Sequence, residues 1–264
     1  MATCPDSVQP VDPADPADPA NLADPAARFD LPTAILRTTQ QAFAGRADAV
    51  PLELAPQWAT HQGTLREQPV TIATYVWQTA VLGWARVALL QVGTRTSVVS
   101  VLLFPRLEYD LPLCGAEVVS INGSINLAVM DWVPMSQHRP PPATLSAIRA
   151  QFAHYPNDPE LPDWVAASFS PHLLYLRPRA SIPLPDLHAA YTAYLHGYLQ
   201  LCATATPHGD PAQTFAAQQH FSLDDMAKTP GGSMLARLFG AEWAAAYSHA
   251  VLFRPGGGYT TPPA

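Results

Sequence analysis

The dipeptide Asn122-Gly123 joins two runs of β-branched and apolar residues, and this arrangement constrains the fold more than any other feature of the chain. Both residues tolerate the positive φ angles that a type I′ turn requires. The flanking runs, 116–121 and 124–132, alternate with the period of two that is typical of strands. The sequence therefore predicts an antiparallel hairpin at the centre of the stretch 104–132.

One carboxylate, Glu117, lies inside the first of these strands. A period of two places Glu117 on the same face as Val119 and Ile121, which is the more apolar face of the strand. One interpretation is a strand carboxylate turned to solvent. The other is a buried functional acid, whose raised pKa would let it hold a proton near neutral pH and deliver it. The apolar neighbours favour the second interpretation.

Three more β-branched and aromatic runs precede the hairpin, at residues 70–77, 84–92 and 95–104. The turn residues Gly93-Thr94 separate the last two, so short connections link all of these runs. Residues 169–177 have the composition of one further strand. A meander of antiparallel strands is the predicted centre of the fold.

Helical patterns lie before and after these strands. Asp30 is placed to cap a first helix that contains Pro32, carries Ile35, Leu36 and Phe43 on one side, and ends at Gly45. Further helices are predicted at about 144–152, 187–201, 212–227, 233–239 and 241–252. Strands in the middle with helices on both sides indicate an α+β fold, with an antiparallel sheet covered by helices.

The composition suggests one domain with tails. Residues 1–26 repeat the motif Asp-Pro-Ala and predict a disordered tail, 27–254 a single domain, and 255–264 a flexible tail. The first 30 residues hold six aspartates and one arginine, so they account for most of the formal charge of −7. The near-neutral remainder has no basic run, which speaks against nucleic acid as a partner.

The three cysteines are scattered, and no apolar run approaches the ~18 residues of a membrane span. The N-terminus also lacks the basic and apolar regions of a signal peptide. These features predict a cytoplasmic protein that is not membrane-bound. No GxGxxG motif follows a strand, and no P-loop, GxSxG or HExxH motif occurs. The nine histidines are dispersed, so no metal site is predicted.

Three blocks carry a family resemblance: FPRLEYDLPLCGAEVV from residue 104, FSPHLLYLRP from 169, and MLARLFGAEWAAAYSHAVLF from 234. Their residues, order and spacing resemble the ferredoxin-dependent bilin reductases, which reduce biliverdin to phycobilins. The resemblance implies a three-layer α/β/α sandwich that encloses an open-chain tetrapyrrole. It also implies no tightly bound cofactor, reduced ferredoxin as the external electron donor, and a monomer.

The same resemblance assigns candidate site residues. A pocket carboxylate, usually Asp in the family, corresponds to Glu117, and red chlorophyll catabolite reductase is similar in using Glu there. Ser100 stands where many members have His or Asn, and Thr229 where an Asp is common, with Asp224 and Asp225 slightly upstream. A Glu of the phycocyanobilin-forming members falls near Ala88, which makes that four-electron branch a poorer match.

A tetrapyrrole with two propionates needs cations or amides to receive them. Arg177 is the first candidate, followed by Lys228 and Arg179, each with a solvated surface charge as the alternative. Ser100, Thr229 and Asn126 complete the candidate substrate-binding residues. Two further arginines, Arg106 and Arg139, are candidates for a ferredoxin-docking patch.

Three functions remain open from the sequence. The first is a ferredoxin-dependent oxidoreductase that acts on CH–CH groups of biliverdin or a derived bilin, in phycobilin or phytobilin biosynthesis. The second is a non-catalytic bilin-binding protein, suggested by Ser100 and Thr229 at positions where the family often has proton donors. The third is a reductase of another linear tetrapyrrole, such as a chlorophyll catabolite, suggested by Glu117.

Overall fold

The computed structural model describes residues 30–135, 142–178 and 182–255, apart from the side chain of Asp225. Within these residues, eight strands and eight α-helices follow one another, and a π-helical turn ends the last helix. In chain order the elements are α1 (Leu31–Ala44), β1 (Val50–Pro51), α2 (Pro56–Ala59), β2 (Thr60–Leu65), β3 (Gln68–Gln78), β4 (Leu82–Val92), β5 (Thr96–Pro105), β6 (Leu113–Ile121), β7 (Ser124–Val133), α3 (Ala143–Gln151), α4 (Asp163–Ser168), β8 (Leu174–Leu176), α5 (Leu184–Ala203), α6 (Pro211–Lys228), α7 (Gly231–Phe239), α8 (Ala241–Tyr247) and the π-helical turn (Ser248–Leu252).

All eight strands belong to one antiparallel sheet, in the order β1-β3-β4-β5-β6-β7-β8, and β2 pairs with β3 beside β1. The predicted meander is thus confirmed from β3 to β7. At its central hairpin, Asn122 and Gly123 have φ angles of 54° and 76°, as a type I′ turn requires. Ile121 and Ser124 close the hairpin as register partners.

Helices α1, α3 and α5 cover one face of the sheet. Their apolar residues join the inward-facing β6 residues Cys114, Ala116 and Val118 in a single core cluster. A hydrogen bond also joins this layer to the sheet: the indole Nε1 of Trp132 donates to the carbonyl of Tyr194 on α5 (3.1 Å). Helix α5 therefore has a fixed position against β7. No helix within the described ranges is both long and apolar enough to cross a bilayer.

Helices α7 and α8 and the π-helical turn cover the opposite face. Leu235, Tyr247 and Val251 pack there against Trp84 and other residues of the sheet. The Trp84 indole donates to the Val251 carbonyl (2.9 Å), which ties the π-helical turn to β4. The arrangement is helix layer, sheet, helix layer, so the predicted α/β/α sandwich is confirmed.

The start of α1 follows the predicted capping chemistry. The Asp30 carboxylate accepts a hydrogen bond from the Thr33 amide (3.0 Å), and the helix ends before Gly45. A second carboxylate oxygen of Asp30 accepts from Ser97 Oγ on β5 (3.0 Å). One side chain thus caps the helix and also joins it to the sheet.

The prediction of a strand over residues 169–177 is wrong for most of its length, since β8 comprises only Leu174–Leu176. The Ser170 amide donates to the carboxylate of Asp131 instead of to a neighbouring strand (2.6 Å), and Pro171 has no amide hydrogen. Elements β1, α2, β2 and α4 were not predicted. The expected tails, 1–26 and 255–264, lie outside the described residues except for Pro255.

Candidate active site

A cavity of about 520 Å³ lies between the sheet and the layer that α7 and α8 form. Strands β3 to β8 form its floor, and α4, the C-terminal half of α6, α7, α8 and the π-helical turn form its walls. Apolar and aromatic side chains dominate the walls, among them Trp164, Phe169, Phe221 and Phe253. The volume falls within the ~300–1,000 Å³ of typical small-molecule sites. The cavity can therefore hold a flat, largely apolar ligand.

A row of side chains crosses the floor of this cavity perpendicular to the strands. Consecutive register partners are Ala88, Ser100, Glu117, Val129 and Tyr175, on β4 to β8. All five line the cavity. Side chains of register partners project from the same face of a sheet. The antiparallel meander therefore brings Ser100 and Glu117 together at the centre of the floor.

Glu117 is half-buried in this position. Burial away from water raises the pKa of its carboxyl group, and the positive charge of Arg86 opposes that shift. On the same face of β6, Val119 is half-buried and packs against the core cluster beneath α7 and α8, whereas Ile121 is exposed. Gly115 and Glu117 of this face line the cavity, and Val119 and Ile121 do not. A carboxyl group with a raised pKa in a ligand-sized cavity can act as a proton donor.

Arg86 was not predicted from the sequence, although its side chain lines the cavity and is only 1% exposed. Its Nη1 donates to the Ser100 carbonyl (2.9 Å) and to Ser100 Oγ (3.2 Å). The sequence did contain a signal, because Arg86 is the single charged residue of strand β4, in which Gln91 is the one other polar side chain. Like Glu117, Arg86 is a charged residue inside a largely apolar strand, where charges are rare unless they have a partner or a function.

Cationic groups gather on the helical side and at the β8 edge of the cavity. Arg177 is exposed, and its guanidinium carbon lies 5.5 Å from the centre of the Tyr175 ring. Lys228 forms an ion pair with Asp224, with 2.6 Å between Nζ and Oδ2. Both line the cavity together with Thr229 and with the exposed His249, which was not predicted. These groups could receive the carboxylates of a ligand.

The structure therefore brings together Glu117 and four of the five predicted substrate-binding residues: Ser100, Arg177, Lys228 and Thr229. It does not bring Asn126 to the cavity. The pairing of β6 with β7 shifts between Val119 and Ser120, and the irregularity passes over Asn126, whose side chain is exposed. A β-bulge of this kind changes the direction of a side chain, and alternation alone does not reveal it.

Other predicted positions lie apart from the cavity. The half-buried Arg106 uses its Nε to donate to the Thr79 carbonyl (3.0 Å), so it holds a turn at the end of β3. Arg139, Arg179 and the side chain of Asp225 fall outside what the structure describes. The lysine beside Asp224 lowers the pKa of that carboxyl group, which remains ionised at neutral pH.

Asp131 is fully buried, and it is not among the described residues that line the cavity. Its carboxylate accepts two hydrogen bonds from Ser170, from the amide (2.6 Å) and from Oγ (2.5 Å). Desolvation raises the pKa of Asp131 to about 6, although these hydrogen bonds lower it. Asp131 therefore serves to anchor the segment that leads into β8.

A second cavity, of about 680 Å³, lies at the end of the sheet where α1 begins. Turn residues and polar side chains such as Asp30 and Arg95 line it. The Asp30 oxygens are already engaged by Thr33 and Ser97, so this cavity offers no comparable reactive group. Among the described residues, no three His, Cys, Asp or Glu side chains are grouped as metal ligands would be.

Comparisons with known proteins agree with this geometry. Residues 36–254 match the family model described as "Ferredoxin-dependent bilin reductase". The phycoerythrobilin:ferredoxin oxidoreductase of Gloeobacter violaceus is 28% identical over 228 residues, which cover 83% of this chain and 93% of that protein. The protein of the same name from Nostoc punctiforme is 31% identical over 202 residues, covering 73% and 78%.

The fold is also similar to a solved structure. Phytochromobilin synthase from tomato, crystallised in complex with biliverdin, superposes with a TM-score of 0.74 and 18% sequence identity. The similarity covers 86% of this chain and 83% of the tomato chain. The family match extends over most of the chain and includes every strand of the cavity floor. The chain belongs to the ferredoxin-dependent bilin reductase family.

Proposed function

We propose that this protein reduces biliverdin or a derived bilin, with reduced ferredoxin as the external electron donor and with no tightly bound cofactor. The observation that carries the proposal is the position of Glu117, a carboxyl group with a raised pKa at the centre of a ligand-sized cavity. The family relationship supports the substrate class, and the apolar walls suit a conjugated tetrapyrrole. The product would enter phycobilin or phytobilin biosynthesis.

The proposed reaction adds two electrons and two protons across one carbon–carbon double bond. Two reduced ferredoxin molecules supply the electrons one at a time and are oxidised. Glu117 gives the first proton to the one-electron-reduced pigment and is reprotonated from solvent. After the second electron arrives, Glu117 gives the second proton, which completes the addition. A raised pKa increases the fraction of Glu117 that is protonated at a given pH, which favours this donation.

Binding would orient the pigment with its ring edge over the row that contains Ser100 and Glu117. Arg177 and Lys228 would bind the propionates, Arg177 more strongly because Lys228 already pairs with Asp224. Ser100 and Thr229 would supply hydrogen bonds but not protons, since a hydroxyl group is not an acid near neutral pH. Three expectations stay predictions from the sequence: the protein is a monomer, it lies in the cytoplasm, and it has no nucleic-acid partner.

The test is an anaerobic incubation of the protein with biliverdin, ferredoxin and a system that keeps ferredoxin reduced. We expect the pigment absorption bands to shift over several turnovers, with a product of two additional hydrogens by chromatography and mass measurement. The same assay with a linear chlorophyll catabolite identifies the preferred substrate class. Omission of ferredoxin is the control and should abolish the change.

The second candidate function is a bilin-binding protein without catalysis. Ser100 and Thr229 favour it, because both line the cavity and neither is an acid. Stoichiometric pigment binding with unchanged bands in the complete assay would support this function and exclude the reductase. Multiple turnover would exclude the non-catalytic binding function.

A further inference from the structure

The buried guanidinium group of Arg86 belongs to the cavity floor, yet the proposed reaction has so far given it no role. It lies on β4, and its Nη1 reaches Ser100 on the adjacent strand β5 at 2.9 Å and 3.2 Å. Ser100 is in turn the direct register partner of Glu117 on β6. Arg86 and Glu117 are therefore separated by one strand and one small side chain, within a shared cavity wall.

The surroundings keep Arg86 in place and away from water. Its side chain is 1% exposed, and Tyr247 of α8 lies near enough for the positive charge to influence the pKa of the Tyr247 phenol. The Tyr247 hydroxyl bonds Thr74 Oγ1 (2.5 Å), and its ring stacks on Trp243 with 4.6 Å between centroids. A permanent charge in such a site destabilises the folded protein unless nearby groups compensate it.

The structure describes four other charged or titratable groups around the cavity. They are Tyr175 of β8, Arg177 after it, Lys228 at the end of α6, and His249 of the π-helical turn. The described lining residues of β3, β5, β7, α4, α7 and α8 carry no charge. Burial raises the pKa of the Tyr175 phenol, and the charge of Glu117 adds to that shift. Arg86 is the cation whose charge lowers the pKa of Glu117 against the effect of burial.

We propose that Arg86 is a positioning residue whose buried guanidinium group supplies the counter-charge for the Glu117 carboxylate that remains after proton transfer to the pigment. In this step the O–H bond of Glu117 breaks, and its electron pair stays on the carboxylate. The proton forms a new bond on the pigment that ferredoxin has reduced by one electron. The inference rests on the proposed function, because it deepens the role of the same acid.

The counter-charge matters because the product of the step is a carboxylate in an apolar cavity. Without Arg86, that carboxylate would be less stable, the acid would hold its proton more tightly, and donation would be slower. Arginine suits this role since it stays charged at every physiological pH and cannot itself lose the proton. Glu117 thus donates the proton, and Arg86 supplies a fixed positive charge.

The experiment measures the titration of Glu117 directly, in the pigment-free protein. The infrared band of its protonated carboxyl group is assigned by its loss in Glu117→Gln, and its midpoint is followed with pH. In Arg86→Gln we expect the midpoint to move to higher pH by about one unit, as loss of a nearby opposite charge produces. In Arg86→Lys, which keeps the charge, the midpoint should stay close to that of the parent.

Arg149→Gln is the matched control. Arg149 also donates to backbone carbonyls, those of Leu173, Phe152 and Tyr155, but it does not influence the pKa of Glu117. An unchanged midpoint in folded Arg86→Gln would overturn the proposal, and so would equal shifts in Arg86→Lys and Arg86→Gln. The titration needs no turnover, so failure of the proposed reductase activity would be seen separately in the ferredoxin assay.

A folding defect in Arg86→Gln would also be informative. If Arg86 compensates the charge of Glu117, the double variant Arg86→Gln/Glu117→Gln should recover much of the lost stability at pH 8, because no buried carboxylate remains. If the double variant is as unstable as Arg86→Gln alone, Arg86 is a purely structural residue and the proposal is overturned.

Discussion

Ser100 and Glu117 are direct register partners across the β5–β6 pair, and both face the same cavity. Seventeen positions separate them in the chain, but the meander places them side by side at the centre of the floor. Ser100 can offer a hydrogen bond at this site, whereas only Glu117 of the two can supply a proton. The acid chemistry of the floor row therefore depends on Glu117.

Replacement of Glu117 by glutamine tests its role as the donor. Glu117→Gln keeps the shape of the side chain and its ability to hydrogen-bond, so pigment affinity should change little. Turnover should fall by about 10²–10⁴-fold, the usual contribution of a general acid. Single-turnover absorption measurements with pre-bound biliverdin separate the two effects. Glu53→Gln, at an exposed position, is the control, and equal rates in Glu117→Gln and the parent would remove Glu117 from the mechanism.

The same substitution should alter the pH dependence of stability. Burial raises the pKa of Glu117 above its ordinary value of 4.5, so the folded protein binds more protons than the unfolded chain in that window. The contribution of Glu117 to stability is therefore present below about pH 4.5 and is lost as the pH rises through the folded pKa. Denaturant unfolding should show Glu117→Gln gaining stability relative to the parent at pH 8 but not at pH 4. A constant difference at both pH values would contradict the raised pKa.

Arg177 should contribute more to pigment affinity than Lys228. Arg177→Gln removes a charged donor at the cavity edge, and a charge-assisted hydrogen bond to a propionate contributes about 1.5–3 kcal/mol, or roughly 10–100-fold in Kd. Lys228→Gln should cost less, because the ion pair with Asp224 already engages its ammonium group. Titration of each variant with biliverdin, followed by pigment absorption, measures the two Kd values. Arg37→Gln, exposed on α1 behind the sheet, should bind like the parent, and unaltered affinity in Arg177→Gln would argue against a propionate site there.

The anchor between Ser170 and Asp131 should be sensitive to pH. Ser170→Ala removes the Oγ donor from a buried carboxylate, which should cost about 1–3 kcal/mol of unfolding free energy when Asp131 is ionised. Desolvation holds the pKa of Asp131 at about 6 against an ordinary 3.8, so stability from this group is lost as the pH rises through about 6. Loss of the Ser170 Oγ donor should raise the pKa of Asp131 further and increase the stability lost as the pH rises.

Chemical unfolding of Ser170→Ala at pH 5 and pH 8 checks this expectation. The destabilisation should be larger at pH 8, where the carboxylate most needs the hydrogen bond. Ser146→Ala, at an exposed position of α3, provides the comparison. Equal destabilisation at both pH values would mean that Ser170 contributes packing alone.

Local features of the chain predicted much of the fold. Asp30 caps α1 and Asn122-Gly123 forms the hairpin turn because each depends on residues that are adjacent in sequence. The strand predicted at 169–177 failed because Asp131, distant in the chain, bonds the Ser170 amide. The prediction that Asn126 binds substrate failed for a related reason, since the irregular pairing of β6 and β7 changes which residues face the cavity.

The sequence by itself determined the antiparallel meander, its covering helices and the isolated acid at Glu117, because periodicity and turn chemistry act over a few residues. Only the tertiary structure decided that the face carrying Glu117 lines a cavity, while the opposite face of β6 enters the core. It alone placed Arg86 within hydrogen-bonding distance of Ser100, the register partner of the acid. The physical reason is that charge interactions depend on distance in space and on burial, and neither can be read from the separation of two residues along the chain.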